Sequence, residues 1–297
     1  MNVTHSSEIK IHKYLEDVRK GKRGMSDATI TRITADVKEA VNKQFNQQKQ
    51  RKFGLRMSNI GRPYCQLWYD KNKPEVGVDM PANFLMNMMI GDVVEAVFKG
   101  VLTEAGVEFK DGHKSTLTAG KHKIDGTHDL VMDGRVDDIK SASPWSYNNK
   151  FKDYETLRDH DAFGYIGQLA GYASALGVDP GGWWVLNKVN GEFKYISAWD
   201  MKVEQSSIID EVAEKADKLE ENVFERCFKP VEETFRRVPT GNKILGEACG
   251  WCRFRHDCWP TIVELPSLPS QAKSPPIIPY VEISDEYQEK LDKKKRA

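Results

Sequence analysis

The stretch Ile124 to Lys140, IDGTHDLVMDGRVDDIK, decides how this chain is read. Asp133-Gly134 is a two-residue hairpin turn signal set between apolar residues. Such a turn pairs Met132 with Arg135, Val131 with Val136 and Leu130 with Asp137. Asp129 then falls opposite Asp138, with both side chains on one face. Two carboxylates so placed repel each other and weaken a sheet. A bound divalent cation removes that penalty. Lys140, two residues beyond Asp138, points to the same face. Two acids and a lysine around one point suit phosphodiester hydrolysis. Magnesium or manganese polarises the phosphate and lowers the pKa of a bound water, while the lysine offsets developing negative charge. The Asp-x-Lys triplet by itself is common, and a solvated hairpin would carry it too; the opposed Asp129 is what raises its weight. Asp125, just before Gly126, is an alternative acid.

Working outward, apolar residues three and four apart predict a helix over 83–105, with Glu95 one turn beyond Gly91. Glu95 there is either the helix's solvent side or a third carboxylate aimed at the metal. A second helix is expected over 161–176. Gln168 and Tyr172 lie one turn apart on it, with Tyr165 nearby, and an apolar stripe (Phe163, Ile166, Leu169, Ala173) would pack on a sheet. Gln168 and Tyr172 are candidates to bond phosphates or stack on a base. Segments 183–189 and 192–197 flank Asn190-Gly191, a hairpin signal. A helix with an acidic face is expected over 201–228, and the Pro-rich residues from 266 onward read as a tail.

The chain has 297 residues, 44 basic and 44 acidic, so its formal net charge is zero. That excludes coating of nucleic acid by bulk charge but leaves room for a local basic groove. Residues 1–56 hold 13 basic and 6 acidic side chains, a charge of +7, whereas 200–226 hold nine acidic and four basic ones, a charge of −5. Lys49, Arg51 and Lys52 in the polar cationic stretch 43–56 are candidates for DNA contact, against the plainer reading of a solvated helix face. No apolar run is long enough for a membrane span and residues 1–23 lack a signal-peptide core, so a cytoplasmic protein without membrane contact is expected. In a reducing compartment the five cysteines call for a purpose other than disulfides.

The order GDVVE, GTHD, DIK and GQLAGY resembles the RecB-like branch of the PD-(D/E)xK nuclease superfamily, over roughly residues 58–260. The motifs fall on Gly91 and Glu95, Gly126 and Asp129, Asp138 and Lys140, and Gln168 and Tyr172. The resemblance implies an α/β restriction-endonuclease-like core, with a central mixed β-sheet flanked by helices. It implies that Glu95, Asp129, Asp138 and the Ile139 carbonyl bind Mg or Mn, two ions being expected. Lys140 would be catalytic, and Gln168 and Tyr172 would contact DNA.

Cys249, Cys252 and Cys258 form C-x2-C-x5-C, and Cys65 stands far upstream. Four thiolates suit zinc or an iron–sulfur cluster, and His256 could replace one of them at zinc. The pattern is similar to that of the AddB-type and CRISPR-associated RecB-like nucleases. Their one cysteine before the core and three after it hold a 4Fe-4S cluster. This implies a structural cluster on Cys65, Cys249, Cys252 and Cys258, with Cys227 left over as a helix residue.

The expected organisation is a basic helical segment (1–57), a nuclease domain closed by the cysteine knot (58–262) and a Pro-rich flexible tail (263–297). The expected activity is that of a metal-dependent DNA exonuclease of a phage or mobile element, acting in replication, recombination or degradation. No G-x-x-x-x-G-K-[ST] phosphate loop is present to suggest a fused helicase. A CRISPR spacer-processing nuclease and a non-catalytic DNA-binding subunit are the alternatives. Expected partners are DNA, a replication or recombination protein on the tail, and a second copy in a homo-oligomer.

Overall fold

The computed structural model describes residues 5–46 and 52–296, with side chains to 293. The chain divides into two compact units, one of residues 1–62 and 81–220, the other of 63–80 and 221–297.

The first unit is built on a five-stranded mixed sheet in the order Lys110–Asp111, Leu130–Met132, Arg135–Ala142, Asp179–Asn187, Phe193–Ser197. Only the pair Arg135–Ala142 and Asp179–Asn187 is parallel. The Asp133-Gly134 turn forms with both residues at positive φ (50° and 74°), as a tight hairpin turn requires. It sets the register Met132 to Arg135, Val131 to Val136 and Leu130 to Asp137. The Asn190-Gly191 hairpin forms too, with Leu186 opposite Phe193. A separate two-stranded sheet pairs Lys114–Ala119 with His122–Thr127.

Helices cover both faces of the mixed sheet. On one, Leu169, Ala170 and Ala173 of the helix Tyr165–Leu176 join Val136, Trp183, Val185 and Ile196 in a core. On the other, Phe98 and Leu102 of the helix Asn83–Glu104 join Leu130, Met132, Ile139 and Trp184. Ile11 of the helix Ser6–Arg19 is fully buried in that second core. The N-terminal residues are therefore part of the first unit's core and not the separate basic segment expected for 1–57. The helix Asp27–Val41 packs on Asn83–Glu104 at Gly100, where a Cβ would stand 2.5 Å from Ile33 Cδ1.

The second unit holds the helix Tyr64–Asn72 and a four-stranded antiparallel sheet in the order Val263–Pro266, Ile277–Glu282, Val238–Ile244, Val231–Phe235. Residues 263–297 are thus not a tail. Two of these strands lie beyond 262, followed by the helix Asp285–Arg296. Their anchor is a buried polar network. Glu233 accepts hydrogen bonds from Tyr280 (2.9 Å), Asn242 (2.8 Å) and Thr240 (2.8 Å). The Tyr280 hydroxyl in turn accepts the Leu268 N–H at 2.8 Å, and Asn242 Oδ1 accepts the Ser284 N–H at 2.9 Å. Every buried polar atom so paired avoids its desolvation cost.

Among the described residues, no helix is long and apolar enough to cross a membrane.

Candidate active site

The strand Leu130–Met132 pairs with only three residues of its neighbour, so it stops at the level of Asp137. From Asp138 onward that edge of the central strand is not covered by it. Asp129 stands just before the short strand and fills the gap with its side chain. Asp129 Oδ2 accepts the backbone N–H of Ile139 at 2.7 Å. Ile139 thereby enters the site through its N–H.

Asp138 is 1% exposed, and neither of its carboxylate oxygens receives an aligned hydrogen bond. Its one close counter-charge is Lys140, whose Nζ lies 2.6 Å from Oδ2. Lys140 also reaches Gln168 Oε1 at 3.4 Å, on the helix over that face. Burial alone would depress the Lys140 pKa, but Asp138 and Asp129 outweigh it and the ammonium is held charged. Glu95 comes from the helix of the opposite face and is salt-bridged to Lys99 at 2.6 Å, one turn away.

Three carboxylates sense one another here. Burial first, then Asp138, pushes Asp129 up to about 6. Asp138 is raised by burial with Glu95 adding to it, and Glu95 by burial with Asp129 adding to it. Carboxylates crowded together in this way gain most from a cation. All the side-chain donors are hard oxygens, which suit Mg or Mn rather than a softer metal. The set is gathered but not closed: the described residues contain no group of Glu95, Asp129 and Asp138 oxygens within 4.8 Å of one another. Glu95 is turned onto Lys99 instead.

Other candidates separate clearly. Asp125 is exposed on the two-stranded sheet, bonded to Thr116 (2.7 Å) and Lys114 (2.8 Å), which removes it from the site. Tyr172 is 3% exposed, and its hydroxyl donates to the Thr127 carbonyl at 2.7 Å. It therefore braces the Gly126-Thr127 backbone and is not placed to touch DNA, since a buried hydroxyl takes the nearest acceptor. Gly126 is required here: a Cβ would stand 2.4 Å from Met57 and 3.0 Å from the Tyr172 ring. Lys52 is exposed, while Lys49 and Arg51 lie outside the described residues.

Two groups escape a reading by motif. Lys99 sits beside Glu95, one turn on, and helical spacing could have found it. Asp137 faces away from Asp138 and accepts a hydrogen bond from Tyr195 at 2.9 Å. Burial pushes it up to about 7. Only the fold brings Tyr195 to it.

In the second unit, Cys65, Cys249, Cys252 and Cys258 line one pocket with Tyr69, Phe254 and Trp259. Burial raises the pKa of Cys249 to about 11 and raises Cys252 and Cys258 as well. Thiolate ligands of one tetrahedral zinc would lie about 3.8 Å apart, from Zn–S bonds of about 2.3 Å. No three of the described cysteine sulfurs lie within 4.8 Å of one another. His256 does not line the pocket and faces Glu264 at 3.6 Å. Cys227 was expected in a helix. That helix ends at Glu221, with Asn222 at φ +61°, and Cys227 Sγ accepts the Cys65 N–H at 3.1 Å. Its hydrogen bond to the Cys65 thiol is the first cause of that thiol's raised pKa.

No family model matches the chain, and no curated protein is similar to it in sequence. Among solved structures, the crystal structure of SSO0001 is similar with a TM-score of 0.40 and 13% identity, over 66% of this chain and 88% of that one.

Proposed function

We propose that the protein is a metal-dependent DNA nuclease of the RecB-like PD-(D/E)xK type, acting on DNA ends. The observation that carries this reading is the group of charges at the open edge of the central strand. Asp129 holds the Ile139 N–H, Asp138 is ion-paired with Lys140, and Glu95 is near enough to raise the Asp138 pKa.

Glu95, Asp129 and Asp138 would hold Mg or Mn, with the Ile139 carbonyl as a further ligand. A metal held there would supply Lewis acidity to a phosphate and would lower the pKa of a water. Lys140 is charged and anchored between Asp138 and Gln168. It can orient that water and offset charge growing on the phosphate. Asp129, by fixing the Ile139 N–H, keeps the backbone of the Asp-x-Lys segment in place. Lys99 holds Glu95 until a cation competes for it.

The pocket in the second unit would hold a 4Fe-4S cluster on Cys65, Cys249, Cys252 and Cys258, with zinc as the alternative. Such a cluster ties the helix Tyr64–Asn72 to residues nearly two hundred positions later, where closing a loop offsets most chain entropy. In this reading the cluster is structural.

The test is digestion of end-labelled DNA with Mg or Mn by the wild type, Asp138→Ala and Lys140→Ala. Metal-dependent shortening by the wild type alone is expected, and equal activity in all three would overturn the site. Substrates blocked at one defined end give the polarity. A spacer-processing nuclease of a CRISPR system would share this centre and differ in preferring short prespacer-like ends. A non-catalytic DNA-binding subunit would bind the labelled DNA without shortening it.

A further inference from the structure

Lys140 is half-buried, its side chain 17% exposed. Its Nζ lies 5.0 Å from the centre of the Tyr165 ring. Tyr165 in turn is stacked on Phe163, with centroids 5.8 Å apart and planes 14° apart. It also stacks on buried Phe151, at 5.7 Å and 25°. Lys150 Nζ lies 4.6 Å from the Phe163 ring and 4.7 Å from that of Tyr165. The run of rings begins in the core at Phe151 and ends at Phe163, which is 55% exposed.

The backbone that follows Phe163 is tied down. The Asp161 carboxylate accepts the backbone N–H groups of Gly164 (2.9 Å), Tyr165 (2.9 Å) and Ile166 (2.8 Å). It thereby starts the helix at Tyr165 and fixes the loop carrying Phe163. Gly164 has φ +82°, and a Cβ there would stand 2.3 Å from the Gly61 backbone. A single exposed apolar side chain needs no explanation. An exposed ring at the end of a stack that leads to a half-buried, charged lysine is different.

Resting on the nuclease reading above, we propose that Phe163 is a stacking platform for an unpaired base of single-stranded DNA, next to the phosphate that meets Lys140. Every base has a face to stack on an aromatic ring, which gives binding without sequence preference. Lys140, half-buried beside the rings, supplies positive charge for a phosphate. The two contacts from ammonium to Tyr165 and from Tyr165 to Phe163 are short enough for a base and its adjacent phosphate to engage both ends. A base within a duplex has both faces covered by its neighbours, so the platform favours frayed or single-stranded ends.

The test uses a single-stranded oligonucleotide carrying 2-aminopurine near one end, bound in EDTA so that no cleavage intervenes. Wild type is expected to quench the 2-aminopurine fluorescence. Phe163→Ala and Phe163→Leu should lose the quenching and bind about tenfold more weakly, while Phe163→Trp should retain both. Leu keeps the apolar bulk without the aromatic face and so separates stacking from packing. Equal affinity and quenching in wild type, Phe163→Ala and Phe163→Leu would overturn the platform. So would dependence on Phe163 for a blunt duplex only. Manganese-dependent cleavage by the wild type is measured alongside. No cleavage with Phe163-dependent quenching removes the nuclease reading and keeps the platform; cleavage with Phe163-independent binding does the reverse.

Discussion

The Lys140 ammonium lies 2.6 Å from Asp138 Oδ2, two residues away along one strand. Both groups are largely out of water, so each is the other's main compensation. Removing either should cost activity and stability together. Asp138→Ala and Lys140→Ala are each expected to lower kcat by roughly 10²–10³-fold, the usual loss for one preorganised charge at a reacting centre. Each also strands a buried charge, at about 3 kcal/mol. The double variant Asp138→Ala, Lys140→Ala should unfold in urea at a higher midpoint than the sum of the single losses allows. Strict additivity of the two would show that the pair is not coupled.

Metal and protons should compete at the same carboxylates. Asp129 is raised to about 6 and Asp137 to about 7, in both cases chiefly by burial. A raised acid pKa means that the folded state holds its proton more tightly than the unfolded chain. Ionisation therefore costs stability, starting near the ordinary value of about 4 and complete above about 7. In EDTA the Tm should fall as pH rises from 5 to 8. Magnesium should raise the Tm more at pH 8 than at pH 5. Asp129→Asn should remove the magnesium response, whereas Asp137→Asn should raise the metal-free Tm at pH 8 and leave that response intact. A Tm insensitive to magnesium at pH 8 would contradict the ligand assignment.

How far the sequence could be read depended on the range of the interaction. The register from Met132 and Arg135 to Leu130 and Asp137 was legible because a two-residue Asp-Gly turn sets it locally; Asp129 lies one residue beyond that ladder and bonds the Ile139 N–H. The helix carrying Glu95 was legible from its apolar spacing. The C-terminal strands were not, because prolines at 266, 276 and 279 read as a linker. Pro279 lies in a middle strand, yet it offers its carbonyl to the Leu245 N–H at 3.0 Å. What holds that strand is Tyr280 on Glu233, a partner 47 positions away that no local pattern reveals. Cys227 was misplaced for a related reason: helical composition runs on to 228, but Asn222 in the left-handed region ends the helix.

Tyr172 separates a structural from a DNA-binding role. Its hydroxyl bonds the Thr127 carbonyl at 2.7 Å, and burial raises its pKa to about 12. Tyr172→Phe removes one buried hydrogen bond and leaves the carbonyl unpaired. The expected cost is about 1–2 kcal/mol in stability, read from the urea midpoint. DNA affinity and its salt dependence should stay at wild-type values. A loss of affinity at unchanged stability would restore the tyrosine to the DNA interface.

The cysteine pocket predicts a division among five thiols. Cys65, Cys249, Cys252 and Cys258 line the pocket, whereas Cys227 does not and bonds the Cys65 N–H from outside it. Protein purified without oxygen should be brown, absorb near roughly 400 nm and carry iron and sulfide. Serine at any of the four lining positions should abolish the colour and lower the unfolding midpoint, because ligand binding energy is folding energy at such sites. Cys227→Ser should keep the iron. Its effect should be confined to the hydrogen bond it makes, seen as faster loss of the absorbance in air. A colourless wild type with one zinc per chain would assign the pocket to zinc, and would require the sulfurs to draw in from their present spacing.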